Sequence, residues 1–209
     1  MAVGTKVDGR KEAGERTRRR LLEATRALLA DRDEDAVALR DITDTAEANV
    51  ASVSYHFGSK EALCRTAIED AIDTVVRAQI ADLRALGDDP AIEDIAAALA
   101  RPVVGAVSGP PSEARYRLRI VARVVTDPPP ALRASIASSN ERLYAELLPL
   151  LRRAIPGVPD DELCFRLESV ASIIHRIAAG TMGAALRDRP DDEVERLLEP
   201  VIAGVLAGA

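Results

Sequence analysis

One short stretch concentrates the residue types that can hold a helix against a phosphate backbone: Asn49-Val50-Ala51-Ser52-Val53-Ser54-Tyr55-His56-Phe57-Gly58-Ser59-Lys60-Glu61-Ala62-Leu63. Asn49 is a strong helix N-cap. The turn after it carries only small side chains, Ala51, Ser52 and Ser54, which let a backbone come close to another surface. Tyr55, His56 and Lys60 then offer a hydroxyl, an imidazole and an ammonium within six positions, the kinds of group that contact phosphate oxygens. Gly58 can adopt the left-handed conformation that ends a helix, and Ser59 can cap the next. Two helices are therefore expected to meet at this Gly-Ser corner.

Positioning such a string requires helices around it. In residues 17–31, Leu21, Ala24, Thr25, Leu28 and Leu29 fall on the i, i+3, i+4, i+7, i+8 stripe of an amphipathic helix, which leaves Arg18, Arg19 and Arg26 outside. Residues 39–46, Leu39-Arg40-Asp41-Ile42-Thr43-Asp44-Thr45-Ala46, read as a second helix, and residues 50–57 as a third. Taken together, residues 17–68 resemble the N-terminal DNA-binding domain of the tetracycline-repressor (TetR) family of bacterial transcription regulators. The resemblance implies a helix-turn-helix whose third helix enters the major groove. It further implies a DNA-binding set of Arg40, Asn49, Val50, Ala51, Ser52, Ser54, Tyr55, His56 and Lys60. Within that set Val50, Ala51, Ser52 and Ser54 face the groove or its rim, Tyr55, His56 and Lys60 grip phosphates, and Arg40 reaches the backbone from the second helix. Val53 and Phe57 pack inward with Ile42, Ala46 and Leu63.

Two residues depart from the family pattern. Glu47 stands where the turn usually carries Gly, and a non-Gly residue at positive φ costs on the order of 1 kcal/mol. Ala38 stands where Ser or Thr usually opens the second helix, forfeiting a cap worth roughly 0.5–2 kcal/mol. Asp41 can offset the exposed N–H groups electrostatically.

The 209 residues are 47% hydrophobic but only 2% aromatic, so the core must be built from small and aliphatic side chains between helices, in an all-α fold of about nine helices. Net charge is −6, which alone argues against a nucleic-acid partner. Its distribution argues the other way. Residues 1–20 hold seven Lys/Arg against three acids, +4 locally, beside the helix-turn-helix. Residues 1–14 read as a basic, flexible arm, equally consistent with a solvated tail; 15–66 as the DNA-binding domain; and 67–209 as a helical effector-binding and dimerisation domain. Further helices are expected at 59–86, 91–107, 112–126, 131–154, 160–187 and 191–206, separated by breaks such as Gly109-Pro110-Pro111 and Pro128-Pro129-Pro130. Pro102 and Pro149 fall inside two of them and should kink or split them.

The last two helices carry an apolar stripe, and Gly180 and Gly183 would permit close helix approach. Such a terminal pair is either the core of its own domain or a face for a partner. The family resemblance implies the second, a four-helix homodimer interface through Leu167, Ile174, Leu197, Leu198, Val201 and Val205. It also implies a small-molecule effector in the C-terminal domain, for which Tyr116, Arg119, Arg123, Tyr144, Phe165, His175 and Met182 are the polar or aromatic candidates on otherwise aliphatic helices. A site for such a ligand would need a cavity of about 300 Å³. A lone His on a helix, however, is more often hydrogen-bonded structure than a ligand contact.

Other chemistries find no support. The spacings of nucleophile elbows, P-loops, metalloprotease helices and dinucleotide folds are missing, and the acid-rich Asp31-Arg32-Asp33-Glu34-Asp35 reads as a solvated loop. Cys64 and Cys164 lie a hundred positions apart, with only His56 and His175 to join them, so neither disulfide nor metal site is indicated. No cofactor is expected. Without a signal-like apolar start or a long apolar run the chain reads as cytoplasmic. The reading is thus a non-enzymatic transcriptional regulator, most simply a repressor that binds a palindromic operator as a homodimer and is released by an effector. The alternative is a helical homodimeric protein-interaction module that has lost sequence-specific DNA binding.

Overall fold

Periodic apolar residues between Pro and Gly breaks produce nine α-helices among the described residues of the computed structural model, which describes 4–107, 111–186 and 189–208, with side chains from Lys11 onward. The side chains of Lys6 and Arg10, together with Gly109, Pro110 and Arg187, lie outside what is described. The helices are α1 (Gly4–Leu29), α2 (Leu39–Thr45), α3 (Val50–Phe57), α4 (Lys60–Ala85), α5 (Ile92–Val107), α6 (Glu113–Thr126), α7 (Arg133–Ala154), α8 (Asp160–Ala178) and α9 (Asp191–Ala207), with short 3-10 turns at Glu34–Ala36, Pro130–Leu132 and Ala184–Leu186. The chain divides into two units, Met1–Asp70 and Ala71–Ala209, with the division falling inside α4.

In the first unit, Leu21, Ala24 and Thr25 of α1, Ile42 and Ala46 of α2 and its cap, Val53 of α3, and Leu63 of α4 are all buried. Two expectations about α1 need correcting. It starts at Gly4 instead of residue 17, so the segment read as a flexible arm is helical. No proline interrupts it, and Glu12–Arg16 and Arg19–Glu23 form i,i+4 ion pairs along it. Arg26 is also not outside. It is 4% exposed and pairs at 3.0 Å with Asp70 of α4, a partner that helical periodicity cannot reveal.

In the second unit Ile95, Leu99 and Val103 of α5 share one aliphatic cluster with Leu163 and Leu167 of α8 and Val194, Leu198, Ile202 and Leu206 of α9. Helix α8 is shorter than the apolar run suggests, ending at Ala178 instead of continuing to residue 187. Gly180 and Gly183 serve the turn after α8, and of the two only Gly183 is closely packed, against Ile177 and Leu186. The two glycines have φ of 75° and 71° and turn the chain out of the helix. The prolines behave in the opposite way. Helices α5 and α7 run unbroken across Pro102 and Pro149. Among the described residues no helix is long and apolar enough to cross a membrane, and no His/Cys/Asp/Glu group could hold a metal ion.

Candidate DNA-binding surface and ligand cavity

The turn that aims α3 is strained and then braced. Ala38 gives α2 no side-chain cap, as the sequence implies, and Asp41 in its first turn pairs with Arg32 at 2.9 Å. After Thr45 the chain reverses through Glu47 at φ 47°, so the residue found in place of Gly does take the left-handed conformation. Arg20 of α1 compensates. Its Nε donates to the Ala46 carbonyl at 2.7 Å and its terminal nitrogen to the Glu47 carbonyl, satisfying two acceptors that the end of α2 leaves open.

Helix α3 begins where Asn49 Oδ1 accepts the Ser52 N–H at 2.9 Å and the Ser52 hydroxyl at 3.0 Å. Ser52 is therefore occupied by the cap and only half-exposed, while Arg40, Asn49, Val50, Ala51, Ser54 and Tyr55 are exposed. Tyr55 is the most open of the large side chains, at 84%. His56 is half-buried, its ring edge-on to Tyr55 at 4.8 Å between centroids. Phe57, expected to be an inward residue like Val53, is only partly covered, and its ring carries the Arg18 guanidinium at 5.3 Å. Gly58, at φ 83°, ends the helix, and Ser59 Oγ accepts the Ala62 N–H at 3.1 Å to start α4.

Lys60, expected to grip a phosphate, is partly buried and already bonded within the chain. Its ammonium donates to the carbonyls of Glu34 and Val37, both at 3.1 Å, tying the 3-10 turn before α2 to the start of α4. Burial meanwhile pushes the Glu34 carboxyl above its ordinary value, against the Lys60 charge that lowers it. Lys60→Ala should thus cost about 1–2 kcal/mol of stability and leave the salt dependence of DNA binding nearly unchanged. A log-affinity against log-salt slope that falls by about 0.9 for each phosphate no longer neutralised would instead assign Lys60 to the DNA backbone.

In the second unit, the candidate effector residues scatter. Among the described residues, Tyr144 of α7 and His175 of α8 line one cavity together. Phe165 is 69% exposed on α8, Met182 is exposed in the turn after it, and Tyr116, Arg119 and Arg123 of α6 do not line the cavity. The cavity measures about 90 Å³, smaller than the 300 Å³ expected, because aliphatic side chains from five helices fill most of the space. Ile72 and Val76 come from α4, Leu99 from α5, Val121 and Val125 from α6, Ile136 and Leu143 from α7, and Leu167, Val170 and Ile174 from α8. Gln79, Ser139 and Asn140 supply polar atoms that aromatic and charged side chains alone do not signal. The run Ser138-Ser139-Asn140 in a helix interior is the available clue. A second hollow, about 280 Å³, is an open apolar groove between α4, α5 and α6, edged by the Asp82–Arg101 ion pair at 3.2 Å.

Desolvation lowers the His175 imidazole to about 4. Above about pH 6.5 the ring is neutral folded and unfolded alike. Below that, the unfolded chain takes up a proton that the folded chain refuses until about pH 4, so stability should fall by about 2–3 kcal/mol across this window. His175→Leu should remove that share of the decline, read as the difference in urea midpoint between about pH 7 and about pH 4.5.

The proposed dimer residues also separate. Leu167, Ile174 and Leu198 are buried in their own unit's core, and Val205 is half-buried against it. Leu197, at 45%, and Val201, at 50%, are open on the flank of α9 beside that buried stripe. Periodicity alone cannot tell which stripe of an apolar helix faces inward.

Residues 21–67 match the family described as bacterial regulatory proteins, tetR family, and residues 97–208 match the tetracyclin repressor-like, C-terminal domain. The chain belongs to the TetR family. Solved structures with the same TetR-type fold include the TetR family transcriptional regulator PfmR from Thermus thermophilus, 16% identical over 88% of this chain and 96% of that one, with a TM-score of 0.62. A protein from Saccharomonospora viridis assigned as a transcriptional regulator, in complex with choline, is 21% identical over 88% and 94%, with a TM-score of 0.66. A gamma-butyrolactone receptor, described as an ArpA-like protein, is 18% identical over 94% and 97%, with a TM-score of 0.56. No curated protein sequence matches this TetR-family chain.

Proposed function

We propose that this TetR-family protein represses transcription by binding a palindromic operator as a homodimer, and that a small molecule in the second unit releases it. The observation that carries the DNA reading is the outer face of α3, where Val50, Ala51, Ser54 and Tyr55 stand open behind a capped start and a braced turn. Their small size lets the helix enter a major groove, Tyr55 and His56 then lie within reach of phosphates, and Arg40 approaches the backbone from α2. Two such helices are needed for a palindrome. Phe165 on α8 and Leu197 and Val201 on α9 are large apolar side chains exposed on the helix pair that would join two copies. The effector reading is supported by the Tyr144 and His175 cavity and by relatives whose structures are of a choline complex and of a gamma-butyrolactone receptor.

The test is a salt-titrated gel shift with the DNA flanking the protein's own coding sequence. Specific binding that weakens as salt rises is expected, and Tyr55→Ala should weaken binding to all sequences alike, because phosphate contacts carry no base information. A dimer that binds no flanking DNA at low salt would discard the regulator reading and leave an interaction module.

A further inference from the structure

The cavity's lining restricts the charge its occupant can carry. Its walls are aliphatic, and its polar atoms come from Ser139, Asn140 and Tyr144 of α7, His175 of α8 and Gln79 of α4. Among the described residues no Asp, Glu, Lys or Arg lines it. A charged ligand entering such a site gives up its hydration and meets no countercharge in the lining; Glu168, whose charge acts on Tyr144, is exposed and does not line the cavity. His175 does not supply one, because desolvation keeps its ring neutral at ordinary pH. A quaternary ammonium is best held by a cage of several aromatic faces, and Tyr144 contributes the single ring beside the imidazole here. The hydroxyls of Ser139 and Tyr144 and the amide of Asn140 can each both donate and accept, which suits one neutral oxygen-bearing head group. Scaled against the roughly 150 Å³ cavity that takes benzene, the 90 Å³ available admits on the order of four non-hydrogen atoms.

We propose that the effector cavity selects short, uncharged aliphatic compounds with one hydrogen-bonding oxygen head, such as small alcohols or esters, and rejects carboxylates and ammonium ions of the same chain length. This deepens the effector reading and rests on it. Ser139, buried on α7, holds the head, with the exposed Asn140 at the rim, while the tail lies against Val76, Val121 and Val170.

Three probes that share a chain short enough for the cavity and differ in head charge test it: propan-1-ol, propanoate and propylammonium. Titrations are followed by the methyl NMR signals of Val76, Val121 and Val170, and the same solutions are used in the gel shift. Propan-1-ol should saturate those signals at least about tenfold more tightly than either ion, since the burial penalty of an unpaired charge exceeds one decade. Ala171→Phe, which fills the cavity from α8, should abolish the effect in a protein shown by its melting curve to be folded. Ala171→Leu serves if the larger ring prevents folding. An ion that binds as well as the alcohol, with binding abolished in the filled variant, overturns the selectivity and leaves an effector site standing. No saturation by any probe, or saturation that survives filling, overturns the cavity as the site. Saturation by propan-1-ol with no change in DNA affinity upholds the selectivity and discards the effector reading.

Discussion

Leu198→Asp should leave no folded second unit, whereas Val201→Asp, three residues along the same helix, should leave a folded monomer. Leu198 is 5% exposed within the cluster formed by α5, α8 and α9, so a carboxylate there has neither water nor a cation. An uncompensated buried charge costs about 3–5 kcal/mol and the forfeited apolar burial about 2 more, which together rival the whole stability of a small domain. Val201 is half exposed. Its replacement in a lone chain keeps the carboxylate in water and changes stability by about 0.5 kcal/mol or less. In the proposed dimer the same change sets two like charges into a desolvated interface, enough to move association from nanomolar to micromolar or weaker. Circular dichroism reads the first effect and light scattering the second. A Val201→Asp protein that stays dimeric would remove this face of α9 from the interface, and a native chain that is monomeric at micromolar concentration would remove the dimer itself.

The second large effect concerns Arg20→Ala, which should weaken DNA binding about 30- to 1,000-fold. The arginine braces two carbonyls of the strained turn before α3. Hydrogen bonds from a charged donor contribute about 1.5–3 kcal/mol, and exposure of the rest of the side chain lowers this to about 1–2. A palindromic operator doubles it, because both subunits must present α3 correctly. Glu47→Gly should act in the opposite direction, relieving a left-handed glutamate by about 0.5–1 kcal/mol per chain. Combining the two changes should recover part of the affinity. If the arginine variant binds DNA normally, the brace has no part in aiming the helix.

These cases also show what a sequence can disclose. The α3 corner is legible because its determinants are local: Asn49 caps a residue three positions on, Gly58 ends that helix, and Ser59 starts the next. The roles of Arg20, Arg26 and Lys60 are hidden for the complementary reason. Their partners lie 23 to 44 positions away, on elements whose approach no periodicity encodes. In α8 an apolar run continuing past residue 178 masks the end of the helix, since Gly180 and Gly183 could serve either close packing or a turn. Aromatic and charged side chains are poor guides to the cavity, because its polar lining includes Ser139 and Asn140. Both are ordinary on a helix surface: Ser139 becomes informative only once the surrounding helices bury it, and Asn140, still exposed, only once the cavity is seen beside it.

Finally, the placement of the tyrosines makes the protein its own optical probe. The chain has no tryptophan and three tyrosines, so its ultraviolet emission comes from Tyr55, Tyr116 and Tyr144. Tyr55 stands open on α3 and Tyr144 lines the cavity, so quenching by nucleic acid and a spectral response to small molecules should originate in different rings. With Tyr116 replaced by Phe, and Tyr55 or Tyr144 replaced in turn, a two-fluorophore instrument becomes a pair of single-site sensors. Occupancy of operator and cavity could then be followed in real time, in one cuvette, without attaching a dye.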